Sequence, residues 1–475
     1  MGATCRAGGC TASSERNISK NRIPDLRDRG SYCVPNHYSW ALGSELLASP
    51  QTPPQQRIIV ASIEALFAVR RTDCCHAADF ARVPSGCYSE PSCCDLKMKP
   101  GILLMVRELH HGGSERQLTE VALGLDRTLF QPHVGAIRIE GIRADDVRAA
   151  GIPIFHVPLQ SFKSSATLTA ALALARYIRE NNIQLVHTFD MPLTSYAIPV
   201  TRLLTSAVAL ASQRCHLSLA GPYLRRFVLF AERQAHGVVV NCQFLMRHLV
   251  EDANLTPERI HLCYNGVDLT RFRRAPASRP RSLPPEALVI GAVSVLRPEK
   301  GLTTLLDAFA SVRQRTANVR LVIIGSGPML PELQKRAQDL GILDACIFEG
   351  SSNQVAEWLQ IIDIFVLPSL SEALSNALME AMACGCCPIA SRVGGNPELI
   401  EDRVRGLLFE PGNSMDLAHK LNEVIADPDF RGRMADAAHD FLHANFSRAN
   451  SAHRMTEIYS QLLAANTAGN DIAAS

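Results

Sequence analysis

From residue 98 onward the chain alternates short apolar runs with helix-length segments. It does so twice, on either side of a proline- and arginine-rich stretch at 273–285. An apolar run of about four to eight residues reads as a buried strand, and strand–helix–strand alternation builds parallel sheets through right-handed crossovers. In the first round, strands are expected at 101–106 (GILLMV), 133–138, 183–188 (IQLVHT), 207–212, 237–241 and 259–263, with an extended piece at 152–157. Helices are expected between them at 114–125, 143–150, 167–181, 218–235 and 243–252. In the second round, strands fall at 288–295, 319–324, 345–349, 363–367 and 387–391, and helices at 301–316, 329–340, 353–361, 376–384, 414–426 and 429–444. A last helix covers 447–464. The fold class is therefore α/β, with two doubly wound Rossmann-like domains at 98–275 and 276–446, followed by a helix and polar tail at 447–475. Ligands of such sheets sit beyond the carboxyl ends of the strands, so the cleft between the two domains is the expected site.

Residues 1–97 lack sustained periodicity and read as a disordered extension or as sequence upstream of a true start at Met98. Eight of the 15 cysteines lie in the first 99 residues: Cys5, Cys10, Cys33, Cys74, Cys75, Cys87, Cys93 and Cys94. Their spacing suits neither a zinc site nor a secreted disulfide framework, so unpaired thiols in a reducing cytoplasm are expected. With 48 Lys and Arg against 46 Asp and Glu, the net charge of +2 offers no electrostatic footprint for nucleic acid. No run of about 18 uncharged apolar residues suggests a spanning helix.

The segment 371–398 (SEALSNALMEAMACGCCPIASRVGGNPE) carries most of the chemical information. Glu372 ends the loop after strand 363–367, and Glu380 lies about one turn into the next helix. The start of that helix leaves the N–H groups of Leu374, Ser375, Asn376 and Ala377 without intrahelical partners, which suits an anionic ligand such as a diphosphate. A glutamate on the inner face of the same helix can accept hydrogen bonds from the vicinal hydroxyls of a ribose. On its own, a pair of acids at this spacing reads as a capping acid and a solvent-facing helix residue, since any two glutamates can have it.

The context resembles the retaining glycosyltransferases of family 4, the group 1 glycosyltransferases, with the two-domain GT-B fold. That family carries a motif of the form E-G-x-x-N-x-x-x-E-A-M-A-x-G-x-P-V followed by G-G-x-x-E. Here it is matched by Glu372, Asn376, Glu380-Ala381-Met382-Ala383, Gly385, Pro388, Gly394-Gly395 and Glu398. Ala373 stands where the family usually has glycine, a departure that narrows the backbone freedom of the donor loop. Asn265-Gly266-Val267-Asp268 with Phe272 resembles the family's hinge signature, and Gly112-Gly113-Ser114-Glu115-Arg116 its G-G-A-E-R turn. The resemblance implies that Arg297 and Lys300 hold the donor diphosphate and Glu380 the ribose. It further implies that Glu372 binds the sugar hydroxyls, that Leu374, Ser375, Asn376 and Ala377 support sugar or phosphate, and that Gly113 and His187 close the site from the first domain. Two fixed cations suit that task because negative charge develops on the leaving diphosphate.

The resulting expectation is transfer of a sugar, with retention, from a UDP- or GDP-linked donor to a saccharide or lipid-linked acceptor, in polysaccharide or glycolipid synthesis, without a metal or other cofactor. The alternatives are a sugar-nucleotide epimerase or hydrolase on the same fold, or a non-catalytic nucleotide-sugar-binding protein. The last helix is expected to cross back to the first domain. Asp427-Pro428-Asp429 is read as a helix start rather than a metal site, and Cys384, Cys386 and Cys387 as core packing. Localisation is expected to be cytoplasmic, at the inner face of the plasma membrane. Peripheral membrane contact is assigned to Leu217–Gln234, whose apolar residues accompany Arg225, Arg226 and Arg233. A core-packing helix with solvated arginines is the competing reading of that segment.

Overall fold

The computed structural model describes residues 99–110, 112–159 and 166–474. Met98, the segment before it and its eight cysteines lie outside the described residues. The first part of the chain runs β1 (Gly101–Glu108), α1 (Gly113–Gly124), β2 (Gln131–Arg138), α2 (Ile142–Ala149), β3 (Ile154–His156), α3 (Ala166–Glu180), β4 (Ile183–Thr188), α4 (Met191–Leu204), β5 (Val208–Gln213), α5 (Pro222–Gln234), β6 (Gly237–Val240), α6 (Gln243–Glu251) and β7 (Ile260–Leu262). The second part runs β8 (Leu288–Val293), α7 (Leu302–Arg313), β9 (Val319–Ile324), α8 (Leu330–Asp339), β10 (Cys346–Glu349), α9 (Val355–Leu359), β11 (Ile364–Leu367), α10 (Asn376–Cys384), β12 (Cys387–Ser391), α11 (Asn396–Leu399), β13 (Leu407–Phe409), α12 (Ser414–Ala426) and α13 (Pro428–Asn445). A final helix, α14 (Arg448–Ala474), follows.

Seven strands form one sheet in the order β3-β2-β1-β4-β5-β6-β7, and six form another in the order β10-β9-β8-β11-β12-β13. Every named strand pairing is parallel. This is the expected pair of doubly wound sheets, and their strands are buried runs because helices cover both faces, as the fully buried Gly101–Val106 illustrates. The order reverses beside β1 in the first sheet and beside β8 in the second, which puts a crevice at each switch point.

Three elements escape the periodicity argument: α4, the four-residue α11 and β13. Helix α4 is apolar nearly all round and contains Pro199, so it lacks both an amphipathic stripe and a clean propensity. Its start is set by Asp190, whose Oδ1 accepts from Leu193 N at 2.8 Å. Strand β13 has three residues, too few for a pattern.

The chain passes between the sheets twice, and the two passages pair. Val267 N donates to Phe446 O (2.8 Å), and Arg448 N donates to Val267 O (3.0 Å). Beyond this point α14 returns to the first sheet, packing on α1, β4 and β5, with Met455, Ile458 and Tyr459 buried there. It runs ten residues beyond the expected end at 464, into polar sequence.

Helix α5 divides its side chains. Val228 and Ala231 are buried, whereas Tyr223, Phe230, Arg225, Arg226 and Arg233 are exposed. No helix among the described residues is long and apolar enough to cross a membrane. On the buried face of α5, Glu232 has an oxygen without a hydrogen-bond partner, and burial pushes its carboxyl from the usual 4.5 up to about 8. Below the lower value the folded and unfolded chains both hold the proton. Between the two values only the unfolded chain releases it, so stability is expected to fall as pH rises through that window. Glu232→Gln is expected to flatten this decline in a melting-temperature series. An undiminished decline would assign it to other groups.

Candidate active site

Helix α10 forms because Asn376–Cys384 (NALMEAMAC) is rich in alanine, leucine and methionine. It starts at Ser375, whose hydroxyl accepts from Leu378 N at 3.3 Å, and ends at Gly385 with φ +85°. Capping of Leu378 leaves the N–H groups of Asn376 and Ala377 without intrahelical acceptors. The start of α1, from the first sheet, comes to the same place. A side-chain carbon on Gly113 would lie 3.8 Å from Asn376 Nδ2. Gln117 Nε2 donates to Asn376 Oδ1 (3.2 Å), and so does Asn265 Nδ2 (2.9 Å). Asn265 Oδ1 in turn accepts from Arg214 Nη1 at 2.8 Å. Two helix N-termini thus converge with a cation nearby, an arrangement that favours an anion.

Lys300 Nζ donates to Glu372 Oε1 at 2.6 Å, and Ser369 Oγ donates to the same oxygen at 3.0 Å. The loop geometry behind this contact depends on two glycines. Gly301 has φ +62°, and a side-chain carbon there would lie 2.1 Å from Pro368 O. Gly394 has φ +55°, and such a carbon would lie 1.9 Å from Glu372 O. Both positions require glycine for conformation and for space. Ala373 does not: it is absent from the non-glycine residues with positive φ, which among the described residues are Asn182, Asn254 and Arg403. The alanine in place of the family's glycine is therefore accommodated without backbone strain. Arg297 extends from the adjacent turn with its side chain 60% exposed and its nearest acid, Glu299, 3.9 Å away.

Glu380 is buried, not solvent-facing, and its Oε1 pairs with Arg116 Nη1 of α1. Burial lowers the Arg116 guanidinium to about 10, opposed by the nearby Glu120 carboxylate. In the sequence Arg116 stands out only as part of the glycine turn, and Gln117 does not stand out at all. Their spacing of three and four residues from Gly113, on one face of a helix opening at the cleft, is the signal that was available.

His187 requires a correction. It was expected to face the donor sugar from the end of β4. Instead it is wholly buried, with Nδ1 2.7 Å from Tyr459 OH of α14 and Nε2 2.7 Å from Ser212 Oγ of β5. Both ring nitrogens are occupied, and burial, followed by the charge of Arg214, depresses its basicity well below the usual value. It is a structural residue that holds α14 against the sheet. The site thus gathers Gly113, Lys300, Glu372, Leu374, Ser375, Asn376, Ala377 and Glu380 around the start of α10, with Arg297 at its open side.

Glu398 has a task the motif did not reveal. Its carboxylate accepts from Gln243 N (2.9 Å) and Phe244 N (3.0 Å), and from Tyr264 OH (3.0 Å). It therefore caps α6 of the first sheet from the second, where Cys242 at the cap position supplies no side-chain capping bond. Glu398→Ala is expected to cost about 0.5–2 kcal/mol of stability and to increase the radius of gyration measured by X-ray scattering. Unchanged values of both would show that the contact contributes nothing. Asp427 Oδ1 accepts from Phe430 N at 2.8 Å and so caps α13, while Cys384, Cys386 and Cys387 are buried in the core. Among the described residues no three or more His, Cys, Asp or Glu side chains gather in a group able to hold a metal ion.

Known proteins resemble the chain in sequence and in fold. The family described as "Glycosyl transferases group 1" matches residues 275–441, and "Glycosyltransferase Family 4" matches 111–271. A GDP-mannose-dependent alpha-(1-6)-phosphatidylinositol monomannoside mannosyltransferase of Mycobacterium tuberculosis is 29% identical over 322 residues, covering 64% of this chain and 82% of that protein. A D-inositol 3-phosphate glycosyltransferase of Streptomyces bingchenggensis is 30% identical over 245 residues, 48% of this chain, and the match spans about half of that relative (53%). Among solved structures, a glycosyltransferase from Rickettsia africae superposes with a TM-score of 0.68 at 21% identity, over 77% of this chain and 99% of that one. Anabaena HepE in complex with UDP-glucose gives 0.67 at 21%, over 76% and 99%. At that identity the structural likeness shows the fold, which is the GT-B arrangement of two Rossmann-like domains.

Proposed function

The chain belongs to the group 1 glycosyltransferases of family 4, and from that premise we propose that it transfers a sugar from a nucleoside diphosphate sugar to an acceptor hydroxyl with retention of configuration. The observation that carries the reading is the cluster at the start of α10. There Lys300 and Glu372 meet beside free helix N–H groups, and Glu380 lies buried one turn further on. Arg297, Lys300 and the N–H groups of Asn376 and Ala377 take the diphosphate. Glu380 takes the ribose hydroxyls and Glu372 the sugar hydroxyls. Gly113 brings bare backbone close to the donor from the opposite side.

In the reaction the bond from the anomeric carbon to the diphosphate oxygen breaks, and its electron pair leaves with the diphosphate. The acceptor oxygen attacks the same face of the sugar, and its proton passes to the departing phosphate. Lys300 and Arg297 lower the barrier by meeting charge that grows on the leaving group. The positive charges come from side chains and helix N–H groups, so the scheme invokes no metal ion. The name of the mycobacterial relative, a phosphatidylinositol monomannoside mannosyltransferase, favours a glycolipid acceptor. The proposal is tested by incubating the chain with UDP- and GDP-sugars and a panel of saccharide and lipid-linked acceptors, reading product configuration by NMR. An anomerically retained glycoside supports it. An inverted product, or an epimerised sugar nucleotide, would replace it.

A further inference from the structure

Glu380 is 4% exposed, and across the cleft it pairs with Arg116 of α1. The pair joins the two sheets through residues 264 positions apart. A carboxylate this deeply buried needs a counter-charge, and Arg116 supplies it. Ribose hydroxyls donating to the same carboxylate would therefore find an acceptor already in use.

Arg116 has a second carboxylate within reach. Glu120 lies one turn further along α1, with Oε1 4.0 Å from Arg116 Nε. Glu120 is also ion-paired, without hydrogen-bond alignment, to Arg448 at the start of α14. Arg448 Nη2 donates to Asp268 Oδ2 at 3.0 Å, and its backbone N–H bonds Val267. A row of alternating charge, Glu380–Arg116–Glu120–Arg448–Asp268, thus runs from the donor side of the cleft to the paired passages between the sheets.

We propose that Arg116 is the exchange partner of the donor's ribose: it holds Glu380 while no donor is bound, and swings toward Glu120 when the ribose hydroxyls take its place. The proposal rests on the reading of Glu380 as the ribose acceptor. Exchange replaces an inter-sheet ion pair by a donor contact and draws Arg116 closer onto Glu120, which Arg448 already holds beside the hinge. Apparent donor affinity is reduced by the fraction of molecules in which Glu380 is held by Arg116.

The test is calorimetric titration of the full chain with UDP and GDP and, for whichever binds, its 2′,3′-dideoxy counterpart. The parent chain is expected to prefer the ribonucleotide, and Glu380→Gln to abolish that preference. If the parent shows no preference, or the preference survives Glu380→Gln, the ribose reading fails and the exchange fails with it. Given that preference, Arg116→Met is expected to tighten ribonucleotide binding about tenfold and to leave dideoxynucleotide binding unchanged. Weaker or unchanged ribonucleotide binding, or equal tightening of both ligands, would overturn the exchange while leaving the ribose reading intact. Arg116→Lys retains a cation without the planar fork and serves as the second variant, with a smaller gain of the same sign expected.

Discussion

Replacing Arg297 or Lys300 by alanine is expected to lower kcat/KM by about 10²–10³-fold, the usual consequence of removing one preorganised group that meets transition-state charge. Stability should hardly change. Arg297 makes no close ion pair, and the Lys300–Glu372 pair is partly exposed, with side chains 23% and 13% accessible. The two variants should differ in character. Loss of Lys300 also releases Glu372, so both diphosphate and sugar contacts are disturbed. Loss of Arg297 removes only an exposed cation. Steady-state kinetics beside denaturant unfolding separates these effects, and full turnover in both variants would remove the diphosphate assignment.

Tyr459→Ala is expected to destabilise the chain by about 3–5 kcal/mol, as truncation of a fully buried aromatic does. Tyr459 sits edge-on to Phe130, with ring centroids 6.2 Å apart, and its hydroxyl meets His187 Nδ1. Tyr459→Phe keeps the packing and leaves His187 short of one partner, at an expected cost of about 1–3 kcal/mol. Urea midpoints at constant m report both values. A cost below about 1 kcal/mol for Tyr459→Ala would mean that α14 is not a working part of the first sheet's core.

The two sheets were legible because buried parallel strands are short apolar runs, and IQLVHT at 183–188 and VRLVII at 319–324 coincide with β4 and β9. The start of α10 was legible because a loop, a capping serine and an alanine-rich run follow one another at 371–384. His187 was misread because its neighbours arrive from elsewhere in the chain, with Tyr459 lying 272 positions away. Arg116 and Glu398 escaped for the same reason. Each acts on the other sheet, and a local motif carries no sign of what lies across the cleft. Helix α4 was missed for a local reason, since a helix buried on most sides has no polar face to set its period.

The central claim is that the start of α10 and the cations beside it form a nucleoside diphosphate sugar site. It is tested most directly by thermal unfolding of the full chain across UDP- and GDP-sugars, because a ligand that binds only the folded state raises the melting temperature. The account predicts that at least one such donor stabilises the parent chain, and that Glu380→Gln and Lys300→Ala each diminish the shift. No shift with any donor, or a shift in both variants as large as the parent's, would contradict it.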